Sequence, residues 1–109
     1  MNKIQYLTDT ELSSLYQNQE NDKNLVFVDV RTPGEHQSGH IPNSVNIPLD
    51  QIPDCNKSEF KDKTLVFYCR SGARTTNYEH ILELFDARKM LCITGGIMEW
   101  MSKGYPVTL

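Results

Sequence analysis

Residues 64–74, Thr-Leu-Val-Phe-Tyr-Cys-Arg-Ser-Gly-Ala-Arg, combine a short apolar run with a cysteine and a small loop that carries two arginines. The run before Cys69 is rich in β-branched and aromatic residues, which is typical of a strand buried on both faces of a parallel sheet. Apolar residues then recur at helical spacing and predict a helix from about Ala73 to Asp86, with a packed face of Tyr78, Ile81, Leu82 and Phe85. Between such a strand and such a helix, Cys69 lies at the carboxyl edge of the sheet, where α/β folds bind ligands.

The loop after Cys69 has the features of an anion-binding site. Amides of a turn and of a helix start favour a negative charge, and the same surroundings lower the pKa of a thiol from its free value of about 8.5. The chain contains four arginines, and two of them, Arg70 and Arg74, fall in this loop. The alternative is an inert cysteine that packs at a strand end. The clustered arginines favour a reactive Cys69.

Length and composition indicate one globular domain. The chain has 109 residues, of which 39% are hydrophobic and 23% are charged, the usual balance for a compact domain. Its net charge of -3 argues against a broad nucleic-acid-binding surface. Three cysteines without zinc-site or disulfide spacing indicate a reducing compartment, and no apolar run approaches the ~18 residues of a membrane span. We therefore expect a cytoplasmic domain without nucleic-acid or membrane partners.

Helix signals occur at three further places. The capping boxes Thr8–Glu11 and Thr32–Glu35 predict two helix starts, and Pro33 suits the first helical position of the second. A last helix is predicted after residues 95–96, with a packed side formed by Ile97, Trp100 and Met101.

Strand signals alternate with these helices. Besides the strand that leads into Cys69, β-type runs occur at residues 4–7, 25–30, 44–47 and 89–94. Strands that alternate with helices along a chain predict an α/β fold, with a parallel sheet covered by helices on both faces.

Four stretches of the chain match one protein family in order and spacing. They are residues 28–35 (Val-Asp-Val-Arg-Thr-Pro-Gly-Glu), residues 39–48 (Gly-His-Ile-Pro-Asn-Ser-Val-Asn-Ile-Pro), the loop of residues 69–74, and Gly95-Gly96-Ile97 followed by Trp100. On these motifs the chain resembles the single-domain rhodaneses, which are sulfurtransferases. The resemblance is strongest over residues 25–107. It implies a single rhodanese-like domain over residues 1–109 with a five-stranded parallel sheet.

The resemblance also implies roles for the residues of the loop. Cys69 matches the nucleophile that accepts a sulfane sulfur as a persulfide. The residues that follow it are implied to supply amides and positive charge to an anionic donor, and these are Arg70, Ser71, Gly72, Ala73 and Arg74. No cofactor and no metal is implied.

Three charged residues outside the loop match further positions of the family. Asp29, Arg31 and Glu35 are implied to form an ion-paired platform beside the loop, since buried charges are generally paired. For Arg31, direct contact with the substrate is the alternative. His40 lies in a proline-bounded turn, and we interpret it as structural.

Two rival functions remain open from the sequence. Cysteine phosphatases and arsenate reductases also set a thiolate in an amide-lined loop closed by arginine, but their loop is one residue longer than the four residues between Cys69 and Arg74. A non-catalytic rhodanese-like module that binds partners or regulates is the second rival. Such modules typically lack the cysteine, so the presence of Cys69 favours an enzyme.

The sequence also suggests partners for the reaction. Two arginines in the loop favour a small anionic sulfur donor such as thiosulfate, with a persulfide on glutathione or on a protein as the alternative. The acceptor is expected to be cyanide or a thiol, for example on a thioredoxin-like or sulfur-relay protein.

Overall fold

The computed structural model describes residues 3–109, and these contain five strands. The strands are β1 (Ile4–Leu7), β2 (Leu25–Asp29), β3 (Val45–Asn46), β4 (Thr64–Tyr68) and β5 (Lys89–Ile93). They form one parallel sheet in the order β1-β5-β4-β2-β3. The predicted five-stranded parallel sheet is therefore confirmed.

Five α-helices connect and flank the strands. They are α1 (Asp9–Asn18), α2 (Pro33–Gln37), α3 (Ala73–Asn77), α4 (Glu79–Leu82) and α5 (Gly96–Ser102), with 3₁₀ turns at Gln19–Asn21, Leu49–Asp54 and Lys57–Phe60. Both predicted capping boxes form, because in each the threonine hydroxyl accepts from the glutamate N–H and the glutamate carboxylate accepts from the threonine N–H. Within residues 3–109, none of these helices is long and apolar enough to cross a membrane.

The core is divided between the two faces of the sheet. On one face, side chains of β2, β4 and β5 pack against Leu82 of α4, Phe85 and the 3₁₀ turns. On the other face, they pack against Leu12 of α1 and against Ile97 and Trp100 of α5. Trp100 is fully buried, and its indole N–H donates to the carbonyl of Pro106 at 2.7 Å. Helices therefore cover both faces, as predicted.

The strand order fixes where a ligand can bind. β4 lies at the centre of the sheet, and its connection through α3 and α4 leads to β5 on one side, whereas α2 leads from β2 to β3 on the other. Where connections diverge from two adjacent parallel strands, a crevice opens at their carboxyl ends. Cys69, directly after β4, lies at this crevice between β4 and β2.

The predicted helix from Ala73 to Asp86 is wrong in its extent. It is divided into α3 and α4 at Tyr78, which leaves the helical region with φ −119° and ψ 30°. The preceding Thr75-Thr76-Asn77 is a run of poor helix formers, so local propensity favours a break. Tyr78 is turned outward by it and is 48% exposed, instead of packing with Leu82 and Phe85.

The predicted packing of Met101 is also wrong. Gly96, Ile97 and Trp100 of α5 are buried, but Met101 is 47% exposed. Each helical residue advances by about 100°, so the three buried residues centre the packed face away from Met101, which falls at its edge.

Candidate active site

Cys69 is held at the bottom of the loop rather than at its surface. The residue is only 1% exposed. Its Sγ accepts the N–H of Gly72 at 3.1 Å and lies 3.8 Å from the hydroxyl oxygen of Thr75. That hydroxyl donates to the carbonyl of Gly72 at 2.9 Å, which fixes its position. The loop therefore curls back over the sulfur and presents backbone donors to it.

The surroundings of Cys69 favour the thiolate. Burial by itself raises the pKa of the Cys69 thiol, but the N–H groups of Thr75, Gly72 and Arg74, together with the Thr75 hydroxyl, lower it by more. The pKa of Cys69 therefore lies below its ordinary value. A thiolate is the nucleophilic form of cysteine, so the predicted reactive thiol has a physical basis in these contacts.

Two glycines allow this loop conformation. Gly72 has φ +99°, and a Cβ at this position would come within 2.0 Å of the carbonyl oxygen of Thr94. Gly96 has φ +63°, and its Cβ would lie 2.5 Å from the carbonyl oxygens of Cys69 and Arg70. At both positions a side chain is excluded by neighbouring backbone as well as by the positive φ.

The start of α5 holds the other side of the loop. The N–H of Ile97 donates to the carbonyl of Cys69 at 2.9 Å, and the N–H of Met98 donates to the carbonyl of Arg70 at 3.0 Å. These bonds turn two loop carbonyls toward α5. Oxygen dipoles that would repel a thiolate are thereby directed elsewhere, while the loop amides face the sulfur.

The two loop arginines differ in their surroundings. Arg74 donates from Nη1 and Nη2 to the two carboxylate oxygens of Glu35, each at 2.7 Å. This pair lowers the pKa of Glu35 to about 2, so the carboxylate is ionised at any working pH. Arg70 is exposed, and within residues 3–109 its guanidinium has no ion-pair partner. Of the two loop arginines, Arg70 is therefore the one whose positive charge is not neutralised by a carboxylate. We call the exposed side of the loop, where Arg70 lies, the mouth of the site.

Asp29 and Arg31 form a buried ion pair beside the site. Arg31 donates from Nε at 2.9 Å and from Nη2 at 2.7 Å to the Asp29 carboxylate, and from Nη2 to the carbonyl of Gly39 at 2.7 Å. His36 adds a contact from Nδ1 to Asp29 at 2.9 Å. Asp29 is fully buried and Arg31 is 6% exposed. These contacts favour the structural interpretation of Arg31, since its Nε and Nη2 donors are already engaged.

The remaining residues of interest are two small residues of the loop, a histidine and a second buried cysteine. Ser71 and Ala73 are exposed on the loop, and they contribute backbone rather than side chains to its curve. His40 donates from Nδ1 to the carbonyl of His36 and pairs with Thr108 through its backbone, which agrees with a structural role. Cys92 is fully buried, and burial raises its pKa to about 11.

Sequence reasoning did not identify Thr75 or Gly96 as parts of the site. Thr75 is a fully buried polar residue directly after the loop, in the first turns of α3. The available signal was a hydroxyl residue on the helix that follows the reactive cysteine. Gly96 was interpreted as part of a matching motif before the last helix, and no contact with the loop was assigned to it. Its close approach to the Cys69 carbonyl joins residues far apart in the chain, which no local pattern reveals.

Changing Glu35 to glutamine is expected to release the charge of Arg74. Glutamine can keep the capping box of α2 but cannot neutralise the guanidinium, which lies close enough to Cys69 to be influenced by its charge. The half-point of Cys69 alkylation by iodoacetamide should therefore move to lower pH. Arg74→Ala leaves the Glu35 carboxylate without this partner and should move the half-point of Cys69 alkylation to higher pH. The measurement is the alkylation rate against pH.

The matched control is Glu11→Gln. It makes the same change in the other capping box, whose glutamate contacts Thr8 and no arginine among the ion pairs of residues 3–109. Its alkylation profile should equal that of the unchanged protein. A shift of the same size in Glu11→Gln and Glu35→Gln would show that the effect comes from helix capping and not from Arg74.

Fold and loop together define a class: an α/β domain that cradles one thiol in backbone amides at the carboxyl edge of a parallel sheet. The family model for the rhodanese-like domain matches residues 11–103. A sulfurtransferase from Allochromatium vinosum is 33% identical over 101 residues, which cover 93% of this chain and 94% of that protein. The crystal structure of a rhodanese-related protein from Thermoplasma volcanium superimposes with a TM-score of 0.76 at 30% identity, covering 96% of this chain and 98% of that one.

The chain therefore belongs to the rhodanese-like family, and the predicted family is confirmed. At the level of the family, the comparisons support a sulfurtransferase. The same domain also occurs within larger proteins, since a tRNA uridine(34) hydroxylase from Cronobacter sakazakii is 32% identical across 94% of this chain but only 31% of its own length.

Proposed function

We propose that this domain transfers a sulfane sulfur from an anionic donor such as thiosulfate, through a persulfide on Cys69, to a thiophilic acceptor such as cyanide or a thiol. The observation that carries the proposal is the cradle of Cys69, in which the N–H of Gly72 contacts Sγ at 3.1 Å and the pKa of the thiol is lowered.

The chemistry follows from a stabilised thiolate. Cys69 attacks the outer sulfur of thiosulfate, the S–S bond of the donor breaks, and sulfite leaves with the electron pair. The terminal sulfur of the resulting persulfide then carries the negative charge, which N–H groups of the loop can stabilise by donating hydrogen bonds to it. The acceptor thiol or cyanide then attacks that terminal sulfur, and Cys69 leaves as a thiolate. No external oxidant or reductant is needed.

Charge at the mouth supports an anionic donor. Arg70 is exposed and has no ion-pair partner among residues 3–109, whereas Arg74 is held by Glu35. A charge-assisted contact contributes about 1.5–3 kcal/mol, so Arg70 is proposed to hold the sulfonate-like oxygens. Arg74 is proposed to act mainly through its backbone N–H and through the position of the loop.

Location and partner are proposed on more general grounds. Cys55, Cys69 and Cys92 are all free thiols, and a reactive thiol without a disulfide partner is typical of a reducing compartment such as the cytoplasm. The acceptor is proposed to be a thiol, on a small molecule or on a thioredoxin-like or sulfur-relay protein. We propose no nucleic-acid partner.

Intact mass spectrometry tests the proposed function. Incubation with thiosulfate should add one sulfur atom, which cyanide should then remove as thiocyanate. If neither thiosulfate nor an organic persulfide adds sulfur, the non-catalytic module becomes the better interpretation. If phosphate esters are hydrolysed instead, the phosphatase alternative is correct.

A further inference from the structure

An apolar cleft lies beside the loop, and the proposed reaction with thiosulfate does not use it. Its volume is about 530 Å³, within the range of pockets that hold small organic molecules. We call it the Arg74 cleft, and its principal walls are Val30, Pro48, Leu49, Arg74, Tyr78 and Ile81. Thiosulfate is small and wholly polar, so it gains nothing from these walls.

The Arg74 cleft begins next to the reactive sulfur. The N–H of Val30 donates to the carbonyl of Tyr68 at 3.1 Å, so Val30 extends β2 alongside Cys69. Both side chains belong to the same apolar cluster on one face of the sheet. Arg74 is shared as well, because its N–H helps to lower the pKa of Cys69 while its side chain lines the cleft. A molecule with its sulfur at Cys69 therefore has the cleft directly beside it.

The charges around the cleft indicate what kind of group fits there. Among the residues that line it, Arg74 is the one cation, and Glu35 already neutralises it with two hydrogen bonds of 2.7 Å. Asp50 also lines the cleft and is exposed. Apart from Thr32, the other lining residues are aliphatic or aromatic, so the cleft favours an uncharged hydrocarbon group. A charged group placed there would gain no free partner on the side of the loop.

We propose that the Arg74 cleft binds the hydrocarbon part of an organic sulfane donor, such as the aryl group of a thiosulfonate, and that it sets a preference for such donors over small ones. The inference rests on the proposed function. Cys69 attacks the outer sulfur of R–SO₂–S⁻, the bond between that sulfur and the sulfonyl sulfur breaks, and the sulfinate R–SO₂⁻ leaves with the electron pair. The persulfide on Cys69 is the same as that formed from thiosulfate.

The first test compares donors of different size with one acceptor. The value of kcat/KM for benzenethiosulfonate should exceed that for methanethiosulfonate by about tenfold or more, since apolar groups in a fitted pocket discriminate to this extent. Tyr78 is an exposed wall of the cleft, so Tyr78→Ala should lower the ratio of the two values about fivefold. The two donors differ in leaving-group chemistry, but this difference is the same in every variant. It therefore cancels when the ratio of the two kcat/KM values is compared between variants.

Leu84→Ala is the matched control. Leu84 is 48% exposed, as is Tyr78, and it lies outside the cleft lining, so its ratio should stay at the value of the unchanged protein. Equal ratios in Tyr78→Ala and the unchanged protein would overturn the proposal. A fall of the ratio in Met98→Ala alone would also overturn it, because Met98 lies outside the lining of the Arg74 cleft and lines another pocket with Arg70.

A second test does not depend on sulfur transfer. Benzenesulfonate and methanesulfonate carry no transferable sulfur, so each should only protect Cys69 from iodoacetamide by occupying the site. Benzenesulfonate should protect at about tenfold lower concentration, and Tyr78→Ala should remove this advantage. If no donor loads sulfur onto Cys69 while this protection persists, the proposed function fails and the cleft assignment stands. If sulfur is loaded but neither preference appears, the cleft assignment fails.

Discussion

Replacing Cys69 by serine is expected to abolish sulfur transfer from every sulfane donor. Serine has nearly the same shape, so the fold and the contact with the N–H of Gly72 should persist. A hydroxyl is a far weaker nucleophile than a thiolate and cannot hold a sulfur as a persulfide. The measurements are the turnover of thiosulfate with cyanide and the intact mass after incubation with donor. Near-normal turnover in Cys69→Ser would show that another residue carries the sulfur.

The other cysteines provide the controls for this change. Cys92→Ala should keep the sulfur adduct, because Cys92 is fully buried with its pKa raised to about 11. It should cost roughly 1–2 kcal/mol in the free energy of unfolding, through the small cavity that it leaves. Cys55→Ser, at a half-buried position outside the loop, should change neither the adduct nor the turnover.

Replacing Gly72 by alanine is expected to have the largest effect of any glycine change on this site. A Cβ there would lie 2.0 Å from the carbonyl oxygen of Thr94, and the φ of +99° is unfavourable for alanine. Strain and overpacking together should cost at least about 3 kcal/mol in unfolding free energy. Since the N–H of Gly72 would have to move from Sγ, kcat/KM for thiosulfate should fall about a hundredfold or more.

Two other glycines separate the causes of this effect. Gly104 also has a positive φ, +80°, but no atom lies within 4 Å of its Cβ position, so Gly104→Ala should show the strain alone, about 1–2 kcal/mol. Gly34, in α2, has open space and an ordinary φ, so Gly34→Ala should stabilise the protein by about 0.5–1 kcal/mol. Circular dichroism melts and turnover measure all three. A Gly72→Ala protein as stable and active as Gly104→Ala would contradict the close approach of the Thr94 carbonyl to Gly72.

Much of the fold could be predicted from the sequence because its signals are local. The apolar runs before Cys69 and at residues 25–30 have the composition of buried strands, whatever their place in the sheet. The capping boxes Thr8–Glu11 and Thr32–Glu35 each supply the hydrogen bonds of a helix start within four residues. The position of Cys69 followed from the order of strand, loop and helix. Its amide contacts agree with that prediction.

What the sequence did not reveal depends on contacts between distant residues. The implied role of Arg74 in supplying positive charge to a donor assumed a free guanidinium, whereas Glu35, from a different part of the chain, occupies it. Predicting the break at Tyr78 would have required giving the three poor helix formers before it more weight than the apolar spacing, which suited one long helix. The contact of Gly96 with Cys69 exists only once α5 lies against the loop.

The hydrogen bonds from the start of α5 to the carbonyls of Cys69 and Arg70 also relate the reactivity of the thiol to biosynthesis. A chain is made and emerges from its N-terminus, so Cys69 leaves the ribosome before Ile97 and Met98 are free to hold the loop. β5 must also insert between β1 and β4 before α5 can reach the loop that follows Cys69. A nascent or truncated polypeptide is therefore expected to display an ordinary cysteine, and the proposed sulfur chemistry is expected to start only when folding is complete. Alkylation of Cys69 at low pH consequently reports on the maturity of the whole domain.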